Sequence, residues 1–156
     1  MLLVSACLLG IECRYDGLSA RSEELCALID ETIFIPVCPE QLGGLSTPRT
    51  PAAIASGDGG DVLDGRAHVL TTDGDNVTDE FLRGAVEVAR IAAMMNINAA
   101  IMKENSPSCG VDSIKRNEAL VNGMGVTSAL LTRRGIHVIS SDSIFKEYVR
   151  YYRHRK

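Results

Sequence analysis

Four short apolar runs constrain the fold of this chain most strongly. They occupy residues 1–6, 33–37, Ala99–Met102 and 136–139. Each is too brief for a globular helix and nearly uniform in character, as expected of strands buried on both faces. The segments between them carry helical periodicity. Leu25, Leu28 and Ile29 follow Ser22, a natural cap. Val77, Phe81, Ala85, Val88, Ala92 and Met95 step by three or four residues behind Asn76, with Asp79 and Glu80 in the first turn. Val126, Leu130 and Leu131 precede a stop at Gly135, with Arg133 and Arg134 in the last turn. Ser141 introduces Ile144, Phe145, Tyr148, Val149 and Tyr152 on one face of a final helix. Strand–helix alternation predicts an α/β fold: a three-layer, Rossmann-like parallel sheet with helices on both faces. Asp64-Gly65, between Val62-Leu63 and residues 67–70, reads as the turn of a small β-hairpin. Pro36 lacks an N–H and is expected near its strand's end.

At 156 residues, with no internal repeat and no boundary signal, one domain over 1–156 is expected. Trp is absent and aromatics are 4%, so Leu, Val, Ile and Ala must fill the core. No basic segment precedes an apolar run at the start, and no run approaches a membrane span. These features predict a cytoplasmic protein without disulfides or a membrane partner. Its five cysteines then point to metal or thiol chemistry, or to core filling. Charge is uneven, with net −8 over residues 1–75 and net +4 over 76–156. The basic tail of Arg150, Arg153, Arg155 and Lys156 suits a helix end better than an RNA contact, since the whole chain is acidic. A nucleic-acid partner is not expected.

Three cysteines follow predicted strands: Cys7, Cys38 and, a few residues on, Cys109. In an open parallel sheet, ligands bind beyond the carboxyl ends of the strands. If the strands are neighbours, three distant thiols gather at one edge. Three thiolates without a fourth suit a soft metal or an iron–sulfur centre with an open position. The competing explanation is that each fills the core as a small hydrophobe. No Cys-X-X-Cys or finger-type pairing is present. Cys13 reads as a fourth ligand, a catalytic thiol or a structural loop residue; Cys26 reads as packing.

Glu40, two residues beyond Cys38, suits either general acid–base work or the part of an exposed loop charge or a cap. Ser106 and Ser108 either orient a substrate, donate to cluster sulfides or open a turn. Arg14, Asp16 and Arg49 either bind a polar planar substrate through paired hydrogen bonds or lock the loops together. His68, His137 and His154 show no ligand-like clustering, and Ser56 to Gly60 lacks the Lys-Ser/Thr of a phosphate loop.

The stretches VSACLLG-x-x-CRYDG, PVCPEQLGGL-x-TPR and SPSCG, in that order, resemble the thiouracil desulfurase family, long catalogued as a domain of unknown function. The likeness extends through DVLDG, GDNVTDEFLRGA and GMGVTSALL, nearly the whole chain. It implies an oxygen-sensitive 4Fe–4S cluster on three cysteines, matching Cys7, Cys38 and Cys109, with one iron free of protein ligands. That iron would take the sulfur of a thiolated base such as 2-thiouracil and, as a Lewis acid, weaken its C–S bond. Water then attacks the ring carbon and sulfide leaves, without net electron transfer. Glu40 matches the family's proton-transfer glutamate and Ser106 its catalytic serine. Two departures, Ala52-Ala53 in place of an acidic residue and the Ser113-Ile114-Lys115-Arg116-Asn117 segment in place of an Asp-Gly turn, bear on substrate choice. The alternatives are a non-catalytic cluster module in sulfur trafficking or sensing, and a zinc–thiolate protein.

Overall fold

The computed structural model of the chain describes residues 1–144 and 146. Strand β1 (Leu2–Ser5) enters a 3-10 turn at Ala6–Leu9, and a loop leads to the single-turn helix α1 (Glu23–Cys26). Strand β2 (Phe34–Val37) runs directly into α2 (Pro39–Leu42). Next come β3 (Ala52–Ile54), α3 (Gly59–Leu63), β4 (Val69–Thr71), the long helix α4 (Thr78–Met94) and β5 (Ala99–Met102). Strands β6 (Ser113–Arg116) and β7 (Ala119–Asn122), helix α5 (Val126–Arg133) and β8 (His137–Ser140) complete the order.

The four apolar runs pair as one parallel sheet in the order β2-β1-β5-β8. Alternate residues leave its two faces, and both are covered. Leu3, Ala100 and Met102 pack against Val88 and Ala92 of α4 and Leu131 of α5. Leu2, Val4, Ala99, Ile101 and Ile139 face Leu8, Leu25 and Ile144 on the other side. The expected three-layer α/β architecture is therefore present. A third cluster joins Phe81 and Ala85 of α4 to Ile54, Val69 and Ile114, and so seats the antiparallel pair β3-β4 and the hairpin β6-β7 beside the sheet. Pro36 is the next-to-last residue of β2, an edge strand, where a missing N–H is tolerated.

Two local expectations are corrected. Asp64-Gly65 does not turn a hairpin: Val62 and Leu63 end α3, and Gly65, at φ 72°, follows its C-cap. A capping box between Asp58 and Asp61 starts that helix, and β4 pairs instead with β3. The helix after Ser22 is only one turn, although Ser22 Oγ does accept from Leu25 N at 3.3 Å. Phe145, Tyr148, Val149 and Tyr152 of the expected last helix lie outside the described residues, as do His154 and the basic tail.

Helices α2 and α4 cross in backbone contact. A Cβ at Gly84 would overlap the carbonyl of Pro39, and one at Gly43 the carbonyl of Glu80. This crossing fixes the short helix that begins at Cys38 and carries Glu40. Gly84→Ala is expected to lower stability by about 1–3 kcal/mol through overpacking. A thermal melt of the variant beside the parent checks this; an unchanged Tm would mean that the crossing has slack.

Candidate metal centre and active site

The sheet order places β2, β1 and β5 side by side, so Cys38, Cys7 and Cys109 follow three consecutive strands at one edge. All three line a single cavity of about 840 Å³, and Cys13 joins them. Cys7 lies in the 3-10 turn, where its carbonyl accepts from Gly10 N and Ala20 N. Cys38 is the N-cap residue of α2. Cys109 sits in the loop after β5, its N–H on Ser106 Oγ at 3.1 Å and its carbonyl under Ser128 Oγ at 2.7 Å. Cys7, Cys13 and Cys109 are no more than 7% exposed. All five cysteines are free thiols, and Cys26 lies away from this cavity.

Crowding and burial shape these thiols. The Cys13 thiol, together with desolvation, pushes Cys38 far above the usual cysteine range. Cys13 is drawn down by Cys38, but Cys7 and burial dominate and raise it to about 11. Burial pushes Cys109 up to about 12, although hydroxyl groups of Ser5 and Ser108 on its sulfur pull the other way. A nucleophilic thiol needs the opposite shift. Thiols packed like this ionise when a cationic centre takes them as ligands. Among the described residues no group of His, Cys, Asp and Glu closes on a single metal ion. Three soft donors lining one roomy cavity fit an iron–sulfur cluster, whose ligands bind separate irons at separate corners.

Glu40 stands in the first turn of α2, and its Oε2 accepts from Arg49 Nε at 2.6 Å. With side chains 16% and 7% exposed, this is a partly buried pair, well withdrawn from the surface. Arg49 Nη1 also donates to the carbonyls of Cys13 and Ser46 and to Thr47 Oγ1. One guanidinium thus ties the Cys13 loop, the segment after α2 and the carboxylate together. The Cys38 thiol donates to the same Cys13 carbonyl at 3.6 Å.

The remaining expected residues divide. Arg14 lines the cavity and stacks over the Tyr15 ring at 5.7 Å. Asp16 turns inward on its own loop, accepting from Leu18 N and Arg14 Nη2 at 3.0 Å each. Ser106 lines the cavity, and its Oγ accepts from Ser108 N and Cys109 N. Ser108 is buried beside Thr127, Oγ to Oγ1 3.0 Å. Both sequence departures border the cavity: Ala52 and Ala53 in β3, Lys115 and Arg116 in β6. Arg116 is pinned to β3 through the Ile54 carbonyl at 2.8 Å, and to the Gly57 carbonyl beyond it. The β6-β7 turn at Asn117-Glu118 has φ 47° and 64°, and Glu118 is not a residue that announces such a turn.

Sequence reasoning passed over Ser5, Thr127 and Glu104. Ser5 Oγ accepts from Lys103 N at 2.9 Å, across the β1–β5 pair. Glu104 is a buried carboxylate at the end of β5. Burial pushes its pKa up, but the Ser140 and Ser113 hydroxyls and the backbone N–H groups of Ser113 and Asp112 bring the net below the usual glutamate value. A folded-state pKa below the unfolded one contributes stability above the ordinary carboxylate range, and that contribution is lost as pH falls through the folded value. Tm is therefore expected to drop as pH falls below about 4. The drop should be shallower in Glu104→Gln; melts from neutral to acid pH check the pair, and parallel profiles would contradict it.

Comparison with known proteins decides the family. The sequence model of 2-thiouracil desulfurase matches residues 2–143. The chain belongs to the 2-thiouracil desulfurase family. A solved structure described as the 4Fe-4S-dependent thiouracil desulfidase TudS shares the fold at TM-score 0.83, with 40% identity over 96% of each chain. The uncharacterized protein YbbK of Bacillus subtilis (strain 168) is 47% identical over 147 residues, 92% of this chain and 97% of YbbK. The family match spans the three cysteines, Glu40 and both antiparallel strand pairs.

Proposed function

We propose that this chain is a desulfidase that hydrolyses the C–S bond of a thiolated nucleobase such as 2-thiouracil and releases sulfide. Cys7, Cys38 and Cys109 would hold a 4Fe-4S cluster. The observation that carries this is the placement of three thiols after three consecutive parallel strands, in one cavity with an ion-paired glutamate. When bound, the cluster supplies a Lewis-acidic iron that has no protein ligand and polarises a thiocarbonyl.

The chain's own residues supply the rest. Arg49 holds Glu40 by a short charged hydrogen bond and fixes one carboxylate oxygen, so the other is presented for proton transfer with water. Ser106 accepts two backbone N–H groups, which leaves its own O–H as a donor toward the cavity. Arg14 on the cavity wall suits the polar edge of a planar base. Asp16, Arg49 and Ser108 act indirectly: Asp16 shapes the Arg14 loop, Arg49 orients Glu40, and Ser108 supports Cys109. Cys13 is a neighbour of two ligands rather than a ligand. The hydrolysis exchanges C=S for C=O, sulfide leaves with the protons of water, and no electrons are gained or lost.

We place this activity in a single domain in the cytoplasm, where a reducing environment preserves thiols and an oxygen-sensitive cluster. No nucleic-acid partner is invoked. Among the described residues no helix is long and apolar enough to cross a membrane. The test is anaerobic reconstitution with iron and sulfide, followed by elemental analysis and a sulfide assay across thiobases. Iron, labile sulfide and turnover support the proposal. Cluster without turnover of any thiobase would favour a sulfur-trafficking module, and bound zinc would favour a zinc–thiolate protein.

A further inference from the structure

Glu104 is the one charged residue that is buried among the described residues, at 4% exposure. It borders the cavity, yet its carboxylate faces the chain's own donors. Oε1 accepts from the N–H groups of Val111, Asp112 and Ser113 at 3.2, 3.0 and 2.6 Å, and from Ser113 Oγ at 3.1 Å. Oε2 accepts from Ser140 Oγ at 2.6 Å and Val111 N at 3.3 Å. The Glu104 N–H donates to Ser141 Oγ. One carboxylate therefore joins the end of β5, the exit of the 105–112 loop and the end of β8.

That loop carries Ser106 and Cys109. Its other side rests on α5: Gly125 N, Val126 N and Thr127 N donate to the carbonyls of Gly110, Pro107 and Ser108, each at 2.9 Å. The α5 contacts hold the middle of the loop by its carbonyls. Glu104 holds the closing end by its N–H groups, beginning two residues beyond Cys109. A buried anion receiving several N–H donors fixes backbone far more tightly than neutral pairs do. Without it, the N–H groups of Val111, Asp112 and Ser113 lose the acceptor seen here, and the exit of the loop is left to backbone bonds such as Asn105 N to the Ser113 carbonyl and Gly123 N to the Asp112 carbonyl.

We propose that Glu104 is a positioning residue that sets the Cys109 sulfur at the sheet edge. Its effect on cluster retention rests on the reading of Cys109 as a ligand; its effect on the loop does not. Gln at 104 keeps the size and one acceptor oxygen but loses the charge. Ser140→Ala removes a single donor and is the milder variant should Glu104→Gln fold poorly.

The experiment maps alkylation of each cysteine by iodoacetamide, peptide by peptide, in folded cluster-free protein. A second arm follows iron loss to a chelator after anaerobic reconstitution. In Glu104→Gln, Cys109 should alkylate about 10- to 100-fold faster, the effect of losing charged hydrogen bonds on a local opening. Cys7 and Cys13 should keep the parent's rates. Iron loss should quicken about tenfold, as when an outer partner of a ligand is removed. Ser140→Ala should move both readouts in the same direction by less. Equal acceleration at all the cysteines would overturn the proposal in favour of a general stability role, and an unchanged Cys109 rate would overturn it outright. A parent chain that takes up no iron would sink the proposed function, while alkylation would still decide the role of Glu104.

Discussion

Cys109→Ser should abolish cluster binding and, with it, turnover. The substitution is nearly isosteric, at a site 6% exposed whose surroundings include the polar side chains of Ser5 and Ser108. The fold should persist, because the new hydroxyl inherits polar neighbours. What changes is the donor: a serine hydroxyl stays protonated and is a poor partner for a soft iron centre. Iron occupancy after anaerobic reconstitution should fall more than about 100-fold, beyond what even an outer-partner change costs. Absorbance and iron analysis read this directly. A Cys109→Ser protein with full iron and full turnover would remove Cys109 from the ligand set and leave the strand-end convergence as packing. Cys7 and Cys38 carry the same expectation, since they follow the neighbouring strands β1 and β2 and line the same cavity.

Glu40→Gln should do the reverse, keeping the cluster and losing the chemistry. Gln retains an acceptor for Arg49 Nε, so the buried guanidinium keeps a partner and the loop network holds. It cannot take up a proton. Turnover should fall by about 100- to 10,000-fold, the usual worth of a positioned acid–base group. Iron content should match the parent. Anaerobic rates normalised to bound iron check both statements together. Alanine is the less informative change, because it would leave Arg49 buried without its anion, a cost to the fold that mimics a catalytic defect. An iron-normalised rate equal to the parent's would take the proton-transfer role from Glu40.

The fold was legible wherever local pattern and tertiary environment agree. Residues 1–6 and Ala99–Met102 read as buried strands because both faces of the sheet are covered, and the α4 stripe read correctly because Phe81, Ala85, Val88 and Ala92 face the core. Asp64-Gly65 misled because the same dipeptide that turns a hairpin also stops a helix, and the choice lay with the Asp58–Asp61 capping box upstream. The β6-β7 turn was invisible because Asn117-Glu118 lacks the glycine that usually marks positive φ.

The site divides in a similar way. Cys7 and Cys38 were legible because chain order places each just past a strand end, and Cys109 because its loop leaves β5; the sheet needs only to set those strands side by side. Glu40 and Arg49 were visible as motif residues, but their pairing required the loop after α2 to fold back. Ser5, Thr127 and Glu104 carried no signal, since their roles exist only across strand pairs or between a loop and α5. Glu104 follows Lys103 and looks like one of two ordinary surface charges until β8 brings Ser140 against it.

The most direct test of the central claim measures sulfide and uracil together, released from 2-thiouracil by the anaerobically reconstituted chain with no reductant present. Equimolar sulfide and uracil, over many turnovers and in proportion to bound iron, is the expected result. No sulfide from a fully iron-loaded protein, or sulfide only when a reductant is added, would contradict a hydrolytic, cluster-dependent desulfidase.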